Sequence, residues 1–519
     1  MVWPIQKRER VPVNLAASLL DEHLTAGRAD RAAIRYRGAT LSYADVAAQA
    51  ARVGNALRSL DVEVEQRVAV VLPDSPEFVA TFLGAMRIGA VPVTLSTQLS
   101  AEEYGYLLAD CRARVLVTTV ALWPKLAPAR AGLRQLRHVI LADGPAPDGT
   151  LAYDQVVATQ PDRIEPEPTT DDDMAFWQYS SGTTGLPKAV VHLHGSAGTV
   201  PDLHPKHVLR LTASDRVFSV AKLFFSYGLN NSLIIPFRYG ATSILFPEKP
   251  EPRTVFETIS AERPTIFYSV PTSYAALVAF PERDFPYDLS SIRHCVSAGE
   301  ALPAPIFRRW MARFGHQILD GIGSTEIGYI CISNFPGRVR EGTSGQVIPG
   351  YEAVVQDADG RPVAPAEVGD LLVRGPSTAA MYWRKRDRTK HSFRGEWVFT
   401  GDRYSVDADG YHTYQGRSDD LLRVSGMWVS PLEVESALLA HPGVRECAVV
   451  GRADVDGLEK PCAYVVPKNG QADDAFAASL HELAREKLAP FKRPRWIELI
   501  EELPKTSTGK VQRFKLRQR

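Results

Sequence analysis

The clearest pattern in the chain is an alternation of short apolar runs with longer amphipathic segments. Residues 67–72 form a continuous apolar run, residues 77–88 have helical spacing, and residues 90–95 are apolar again. Further apolar runs follow at residues 113–118 and 139–142. Strands that alternate with helices favour a parallel sheet, and its strands are apolar because helices cover both faces. The pattern therefore predicts an α/β fold built from βα units.

A second series of the same kind follows. Its predicted strands are residues 216–220, 242–245, 265–268 and 294–297, and its predicted helices lie at about residues 229–237, 252–262, 271–280 and 303–315. Residues 345–414 instead alternate in short strands with Asp-Gly turns, which predicts a small antiparallel barrel or sheet. Near the N-terminus, residues 14–61 predict two helices around a short strand pair, with Ser42 as a helix cap.

The composition limits the classes of protein that fit. The chain has 519 residues, of which 45% are hydrophobic and 23% are charged, so it needs more than one core. Lys plus Arg and Asp plus Glu number 60 each, which predicts no bulk attraction to nucleic acid or to an anionic membrane. The longest uncharged run, residues 264–281, contains three prolines, which argues against a membrane span. The five cysteines are scattered without a CxxC pair, so we expect reduced thiols in a cytoplasmic protein.

The strongest candidate for chemistry is the segment YSSGTTGLPKAVVHLH at residues 179–194. Its hydroxyl groups and glycines allow a tight turn that presents N–H and O–H donors to an anion, and a cation follows at once. The predicted phosphate-binding residues are Ser180, Ser181, Gly182, Thr183, Thr184 and Lys188. The spacing differs from that of a Walker A loop, in which four residues separate the glycines and Lys precedes Ser or Thr. Because such clusters also occur in ordinary surface turns, other motifs must decide between the two interpretations.

Four further motifs follow in order: DGIGSTE at residues 320–326, TGD at 400–402, GRSDD at 416–420 and PKTSTGK at 504–510. With the hydroxyl-rich segment they resemble the motif series of the acyl-adenylate-forming superfamily, and the resemblance covers nearly the whole chain. The segment AKLFFSYGLN at residues 221–230 is similar to that of the aryl acid:CoA ligases, in particular those of the benzoate-CoA ligase type.

The resemblance implies how the chain divides. Residues 1–418 would form an N-terminal domain of two βα-layered parallel-sheet subdomains plus a small β-barrel, and residues 419–519 would form a small mobile α+β lid. Asp419 would be the hinge between them. Rotation at this hinge would first insert Lys510 and then bring the CoA-binding residues Gly426 and Trp428 to the acyl-adenylate. Such an exchange of lids keeps water away from a labile intermediate.

The implied reaction joins an aryl carboxylic acid to coenzyme A through an aryl-AMP intermediate, and it uses ATP and Mg²⁺. Lys510 would bridge the carboxylate and the α-phosphate, and Thr325 would donate to the α-phosphate. Glu326 would help to hold Mg²⁺, because that ion prefers hard oxygen ligands. From local sequence alone, Lys510 could equally belong to a solvated basic tail, and Glu326 could be only a charge at a helix N-terminus.

The resemblance assigns further residues to ATP. The turn that lies along adenine would contain Gly299, Glu300 and Ala301, and the DGIGSTE motif would add Asp320, Gly321, Ile322, Gly323 and Ser324. Asp402 would accept hydrogen bonds from the ribose hydroxyls, with Arg417 close by, although such pairs are also common as surface ion pairs. Ile322 stands where much of the superfamily has a Tyr stacked on adenine, so aliphatic contact would replace that stacking.

The acid pocket would be lined by Phe224, Ser226, Tyr227, Ala298, Gly299, Gly323, Tyr329 and Ile330, although part of this set could be simple core. Residues 224–228 contain no Asp, which amino-acid-activating relatives use to pair with the substrate ammonium, so we expect an acid without an α-amine. Ser226 and Tyr329 differ from the residues of typical benzoate ligases. They predict a benzoate-like ring with a tolerated hydroxyl or amino substituent.

Two other functions also fit the sequence. A stand-alone adenylating enzyme could load the aryl group on the phosphopantetheine of an acyl carrier protein, and a non-catalytic protein could use the same segment only to bind a nucleotide. Either a monomer or a homodimer is expected. A histidine cluster follows the hydroxyl-rich segment, but it has no acidic or Cys partner at ligand spacing, so we expect its members to be structural or solvent-facing. Its members are His192, His194, His204 and His207.

Overall fold

The computed structural model describes residues 13–182, 185–281, 286–417, 422–424, 427–455, 458–468, 473–505 and 511–519. Of the predicted site residues, Thr183, Thr184, Asp419, Gly426 and Lys510 lie outside the described residues. The side chains of Ser181 and Trp428 also lie outside the description, although the backbone of each belongs to a strand.

The first sheet contains the predicted βα units of the N-terminal part. Within the described ranges its strand order is Met381–Tyr382, Gly185–Leu193, Met174–Gly182, Val91–Thr94, Arg67–Val71, Val115–Thr119, His138–Ala142 and Leu151–Ala152. The pairings from Met174–Gly182 to Leu151–Ala152 are parallel, which confirms the predicted parallel sheet. Strands Met174–Gly182 and Gly185–Leu193 pair antiparallel, and Met381–Tyr382 extends this edge. The hydroxyl-rich segment therefore lies in the antiparallel part of the sheet.

The helices of the first subdomain include Leu15–Thr25, Tyr43–Ser59, Pro76–Arg87, Ala101–Cys111, Trp123–Leu126 and Tyr153–Ala158. Ser42 caps the second of these, as predicted. Its side chain accepts from the backbone N–H of Asp45, and the Asp45 side chain accepts from the backbone of Ser42. This reciprocal pair satisfies two N–H groups that a helix end otherwise leaves without partners.

The second sheet contains the second predicted series. Its order is Gln346–Val347, Ile330–Ser333, Ile318–Gly323, His294–Ser297, Ile266–Ser269, Arg216–Ser219, Thr242–Ile244, Ala32–Tyr36 and Ala39–Ser42. The strand pair from the N-terminal part thus joins the distant edge of this sheet, since Ile34 pairs with Ser243. Helices Pro252–Glu262, Pro271–Ala279 and Ala304–Phe314 agree with the prediction. The helix predicted at about residues 229–237 is divided into three parts. These are the α-helix Ser226–Leu229, the π-helical segment Asn230–Ile234 and the α-helix Ile235–Tyr239.

The strands predicted between residues 345 and 414 form a third, antiparallel sheet of the half-barrel type. It contains Glu352–Gln356, Gly369–Arg374, Phe393–Arg394, Trp397–Val406 and His412–Arg417. The long strand Trp397–Val406 is central, because it pairs with three of the others. It contains the TGD motif at residues 400–402.

The C-terminal α+β domain has its own core, centred on Val449, Val465 and Leu480. Its strands are Leu422–Val424, Met427–Val429, Val444–Ala453, Glu459–Pro467 and Trp496–Leu499, and its helices are Pro431–Leu439, Asp474–Lys487 and Arg513–Arg517. The five cysteines of the chain are free and buried, as expected for reduced thiols. Across the ranges that the structure describes, no helix has the length and apolar character needed to cross a membrane.

Candidate active site

The hydroxyl-rich segment lies at the end of an antiparallel strand pair. Ser180 pairs with Lys188 in the register of these two strands, so both side chains leave the sheet edge at the same level. Ser180, Lys188 and Glu326 meet there. The Ser180 hydroxyl donates to Oε1 of Glu326 at 3.0 Å, and Nζ of Lys188 lies 3.6 Å from the same oxygen. The tertiary structure thus joins two motifs that are far apart in the sequence.

Glu326 is held as a carboxylate in this cluster. Burial by itself raises the pKa of Glu326, but the nearby Lys188 ammonium and the hydroxyls of Tyr382 and Ser180 outweigh it and lower the pKa below the ordinary value. Burial also lowers the pKa of Lys188, against the opposing effect of Glu326. A carboxylate beside a cation and a hydroxyl at a strand end can bind a polyphosphate together with its cation.

Tyr382 is a member of this cluster that sequence reasoning missed. Nζ of Lys188 donates to the Tyr382 hydroxyl at 2.8 Å, and that hydroxyl donates to Oε1 of Glu326 at 2.8 Å. The ammonium also lies 4.0 Å from the centre of the Tyr382 ring. Strand pairing places Tyr382 opposite Val190, and the local sequence contains no motif that would have signalled this contact.

The predicted adenine-binding residues lie at the carboxyl ends of neighbouring parallel strands. Ser297 and Asp320 are partners in the register of these strands, and Gly299 follows with a backbone φ of 93°. Asp320 is buried, and its Oδ2 accepts from the backbone N–H of Leu302 at 3.3 Å. Burial raises the pKa of Asp320 to about 8, so its carboxyl group is mainly protonated at pH 7. Ile322 is partly buried and packs against the adjoining core, and its contact with adenine stays a prediction.

The ends of the DGIGSTE motif are fixed by local contacts. The hydroxyl of Ser324 accepts from the backbone N–H of Ile327 at 3.3 Å. Gly323 has no room for a side chain, since a Cβ there would lie 2.2 Å from the carbonyl oxygen of Tyr329. His192 is buried behind the motif, and burial lowers its pKa to about 4. The motif therefore has little freedom to move away from the strand ends.

Asp402 and Arg417 form the predicted pair on the third sheet. Nη1 of Arg417 donates to Oδ1 of Asp402 at 3.0 Å and to the carbonyl oxygen of Thr400 at 3.0 Å. Only 13% of the Asp402 side chain is exposed. The positive charge of Arg417 also contributes to lowering the pKa of Lys188.

The predicted acid-binding residues gather beside the second sheet. The rings of Tyr227 and Tyr329 are stacked with centroids 6.2 Å apart, and the Tyr329 hydroxyl donates to Oδ1 of Asn231 at 2.5 Å. The Ser226 hydroxyl is 3.5 Å from the carbonyl oxygen of Gly328. Phe224, Ala298, Tyr329 and Ile330 are buried, so this set serves as core as well as a candidate pocket wall.

Asp74 is a second residue that sequence reasoning missed. Its Oδ1 accepts from the backbone N–H of Leu223 at 2.8 Å. Leu223 directly precedes Phe224, the first residue of the predicted acid pocket. The neighbouring Lys222 donates to the carbonyl oxygen of Glu248 at 2.6 Å. Burial raises the pKa of Asp74 to about 6, against the opposing charge of Lys222. Asp74 therefore fixes the backbone just before Phe224, where the predicted acid-pocket residues begin.

The histidine cluster divides between the core and the surface, since His207 is exposed. His192, His194 and His204 are buried, and burial lowers the pKa of each. Among the residues with described coordinates, no group of three or more His, Cys, Asp or Glu side chains could hold a metal ion. A single carboxylate such as Glu326 nevertheless fits Mg²⁺, because this ion is commonly held by one or two carboxylates and substrate phosphates.

Comparison with known proteins identifies relatives over nearly the whole chain. The model of the AMP-binding enzyme family matches residues 21–383, and the model of its C-terminal domain matches residues 433–510. A benzoate–CoA ligase of Thauera aromatica is 46% identical over 507 residues, which are 97% of this chain and 95% of the relative. A 4-hydroxybenzoate–CoA/benzoate–CoA ligase of Rhodopseudomonas palustris is 44% identical over 97% of this chain and 94% of its own length.

A solved structure gives the same result for the fold. The crystal structure of the anthranilate CoA ligase AuaEII in complex with anthranoyl-AMP matches with a TM-score of 0.94 and 42% identity. The match covers 98% of this chain and 97% of that one. The chain therefore belongs to the AMP-binding enzymes, the acyl-adenylate-forming superfamily that its motifs resemble.

Proposed function

We propose that the protein is an ATP-dependent aryl acid:CoA ligase that forms AMP. The observation that carries the proposal is the meeting of Ser180, Lys188 and Glu326 at the end of the antiparallel strand pair. It is supported by two relatives that are named as benzoate–CoA ligases and match nearly the full chain. The substrates are then ATP, an aryl carboxylic acid and coenzyme A.

The first half-reaction needs positive charge where two anions meet. A carboxylate oxygen of the acid attacks the α-phosphorus of ATP, and the bond from that phosphorus to the bridging oxygen breaks to release pyrophosphate. Lys188 and the donors around Ser180 bind the departing phosphates, and Thr325 donates to the α-phosphate. Asp402 accepts from the ribose hydroxyls. Magnesium supplies charge neutralisation for the phosphates, and Glu326 is the residue that would hold it.

The second half-reaction transfers the aryl group to sulfur. The thiol of CoA loses its proton, its sulfur attacks the carbonyl carbon of the aryl-AMP, and the bond from that carbon to the phosphate oxygen breaks to release AMP. We propose that residues 1–418 and 419–519 form two domains, with a hinge at Asp419. The C-terminal domain would insert Lys510 for the first step and present Gly426 and Trp428 for the second. A lid exchange of this kind limits hydrolysis of the aryl-AMP.

The acid is expected to be a benzoate that carries no group or a small hydroxyl or amino group. Tyr227 and Tyr329 offer flat apolar faces, and Ser226 adds a hydroxyl beside them. The names of the relatives, which include 4-hydroxybenzoate and anthranilate, support this class of acid. A cytoplasmic location and a monomeric or homodimeric state are also predictions of this proposal.

Two assays test the proposal. Benzoate, 4-hydroxybenzoate and 2-aminobenzoate are each supplied with ATP and Mg²⁺, and acid-dependent exchange between ATP and pyrophosphate is measured. The same acids are then supplied with free CoA or with a phosphopantetheine-bearing carrier protein, and thioester formation is followed. We expect exchange with at least one aryl acid and thioester with free CoA. Thioester formation on the carrier protein alone would show that the acceptor is the carrier protein and not free CoA. The absence of exchange with every aryl acid would contradict the proposal.

A further inference from the structure

The hydroxyl of Tyr382 lies between the two oppositely charged groups of the phosphate site. It accepts from Nζ of Lys188 and donates to Oε1 of Glu326, each at 2.8 Å. The two charged atoms themselves are 3.6 Å apart. The direct ion pair is therefore longer than either of the two hydrogen bonds that Tyr382 makes.

The Tyr382 side chain is held in this position from several sides. Only 3% of the residue is exposed, and its ring packs edge-on against Phe393 at 5.3 Å between centroids. Its backbone N–H donates to Oγ1 of Thr389 at 3.1 Å. The backbone of Tyr382 is fixed by strand pairing with Val190, which lies two residues after Lys188 in the sequence. A side chain held in this way cannot follow Lys188 or Glu326 when either one turns toward a ligand.

A phenol is suited to this position because it can accept from a cation and donate to a carboxylate at the same time. Without it, Lys188 and Glu326 would be free to close to a direct, largely buried contact. Breaking one partner away from a buried ion pair is costly, because it leaves the other charge desolvated and uncompensated. A nucleotide that needs both groups would then have to separate them first.

We propose that Tyr382 is a positioning residue that keeps Lys188 and Glu326 apart and ready for Mg²⁺-bound ATP. The proposal rests on the proposed function, because it assigns these two groups to the nucleotide phosphates and their cation. In the nucleotide-free protein the Tyr382 hydroxyl is hydrogen-bonded to both Lys188 and Glu326. When the nucleotide binds, Lys188 turns to the phosphates and Glu326 to the cation, while Tyr382 stays in place.

The test is the Tyr382→Phe variant, which keeps the ring and removes only the hydroxyl. We expect the Kd of MgATP, measured by calorimetry without any aryl acid, to rise about tenfold, because the nucleotide must first separate a closed, largely buried ion pair. Binding of AMP, which lacks the β- and γ-phosphates, is expected to be unchanged. The second half-reaction, started from synthetic aryl-AMP and CoA, is also expected to keep its rate.

The matched control is Tyr43→Phe, which removes another buried phenol hydroxyl. Tyr43 donates to the carbonyl oxygen of Ala241 at 2.7 Å and lies outside the phosphate site. We expect that variant to bind MgATP as the parent does. A double variant with Glu326→Gln distinguishes positioning from general destabilisation, because residues that act through each other give non-additive effects. In the Glu326→Gln background, removal of the Tyr382 hydroxyl should change the Kd by less than about twofold.

Three results would overturn the inference. The first is an unchanged or lower Kd of MgATP in Tyr382→Phe, and the second is an equal loss of AMP binding. The third is a full tenfold effect in the Glu326→Gln background. If the parent protein binds MgATP but forms no aryl-AMP, the proposed function fails while these binding results still decide the role of Tyr382.

Discussion

The hydroxyl of Ser180 donates to Oε1 of Glu326 at 3.0 Å across 146 positions of sequence. Ser180 lies near the end of the strand Met174–Gly182 of the first sheet, and Glu326 follows the strand Ile318–Gly323 of the second. The contact therefore joins the two sheets where the phosphate-binding strand pair and the DGIGSTE motif end. A small shift between the sheets would separate this donor from its acceptor, which are the two groups that we propose for the same nucleotide.

Glu326→Gln removes the charge that the cation requires and keeps the shape of the side chain. We expect the rate of acid-dependent ATP–pyrophosphate exchange to fall by about 10²-fold or more, and the Mg²⁺ concentration needed for half-maximal rate to rise. Ser180→Ala removes one hydrogen bond to the same carboxylate and should slow exchange by about tenfold. An exchange rate and Mg²⁺ dependence that stay at parental values in Glu326→Gln would contradict the assignment.

Lys510→Ala should separate the two half-reactions. Lys510 is outside the described residues, so this prediction rests on the PKTSTGK motif. Loss of a cation that bridges carboxylate and α-phosphate should slow aryl-AMP formation by roughly 10²–10³-fold, whereas thioester formation from synthetic aryl-AMP should keep its rate. Lys515→Ala, which removes an exposed cation of the same basic tail, is the matched control. Equal losses in the two variants would support the simple basic-tail interpretation.

Ser226→Ala tests the choice of acid. Loss of the hydroxyl beside Gly328 should lower kcat/KM for the preferred hydroxy- or aminobenzoate by about fivefold relative to benzoate, because one hydrogen bond is lost. The measurement is the ratio of kcat/KM values for the two acids. Ser214→Ala, on an exposed turn, should leave this ratio unchanged. A parent protein that converts only unsubstituted benzoate would contradict the predicted substrate class.

Asp74→Asn should change the pH dependence of stability. Burial raises the pKa of Asp74 from 3.8 to about 6, so the native state keeps a proton that the unfolded chain loses near pH 4. The native state binds more protons between these values, and this carboxyl therefore lowers the free energy of unfolding as pH rises from about 4 to about 6. Asn cannot ionise, and its Oδ1 can still accept from Leu223.

The variant should therefore gain stability relative to the parent as pH rises through that window, by roughly 3 kcal/mol at most, and the gain should level off above about pH 6. Urea unfolding at pH 4.5, 5.5 and 7 measures the difference. Asp148→Asn, at an exposed loop position, should show no such trend. A difference that is the same at all three pH values would show that Asp74 does not keep its proton in the native state.

Local patterns in the sequence were enough to predict most secondary-structure elements and to indicate the family. Continuous apolar runs between amphipathic segments identified most strands and helices, because a strand covered on both faces must be apolar along its length. The sequence also offered motifs for phosphate, adenine and ribose, since each depends on neighbouring residues in one turn, and their binding roles stay predictions. Asp402 and Arg417 form an ion pair because they are partners on adjacent antiparallel strands, an arrangement that the sequence left open beside ribose binding.

Contacts between distant segments were decided only by the tertiary structure. Tyr382 and Asp74 stand in no motif, and their roles follow from strand pairing and from burial beside Lys188 and Leu223. The N-terminal strand pair likewise joined the second sheet, because edge pairing between Ile34 and Ser243 depends on the packing of the whole domain. Hydrogen bonds and pKa shifts of this kind depend on the distances between side chains, and one chain's residue pattern does not specify those distances.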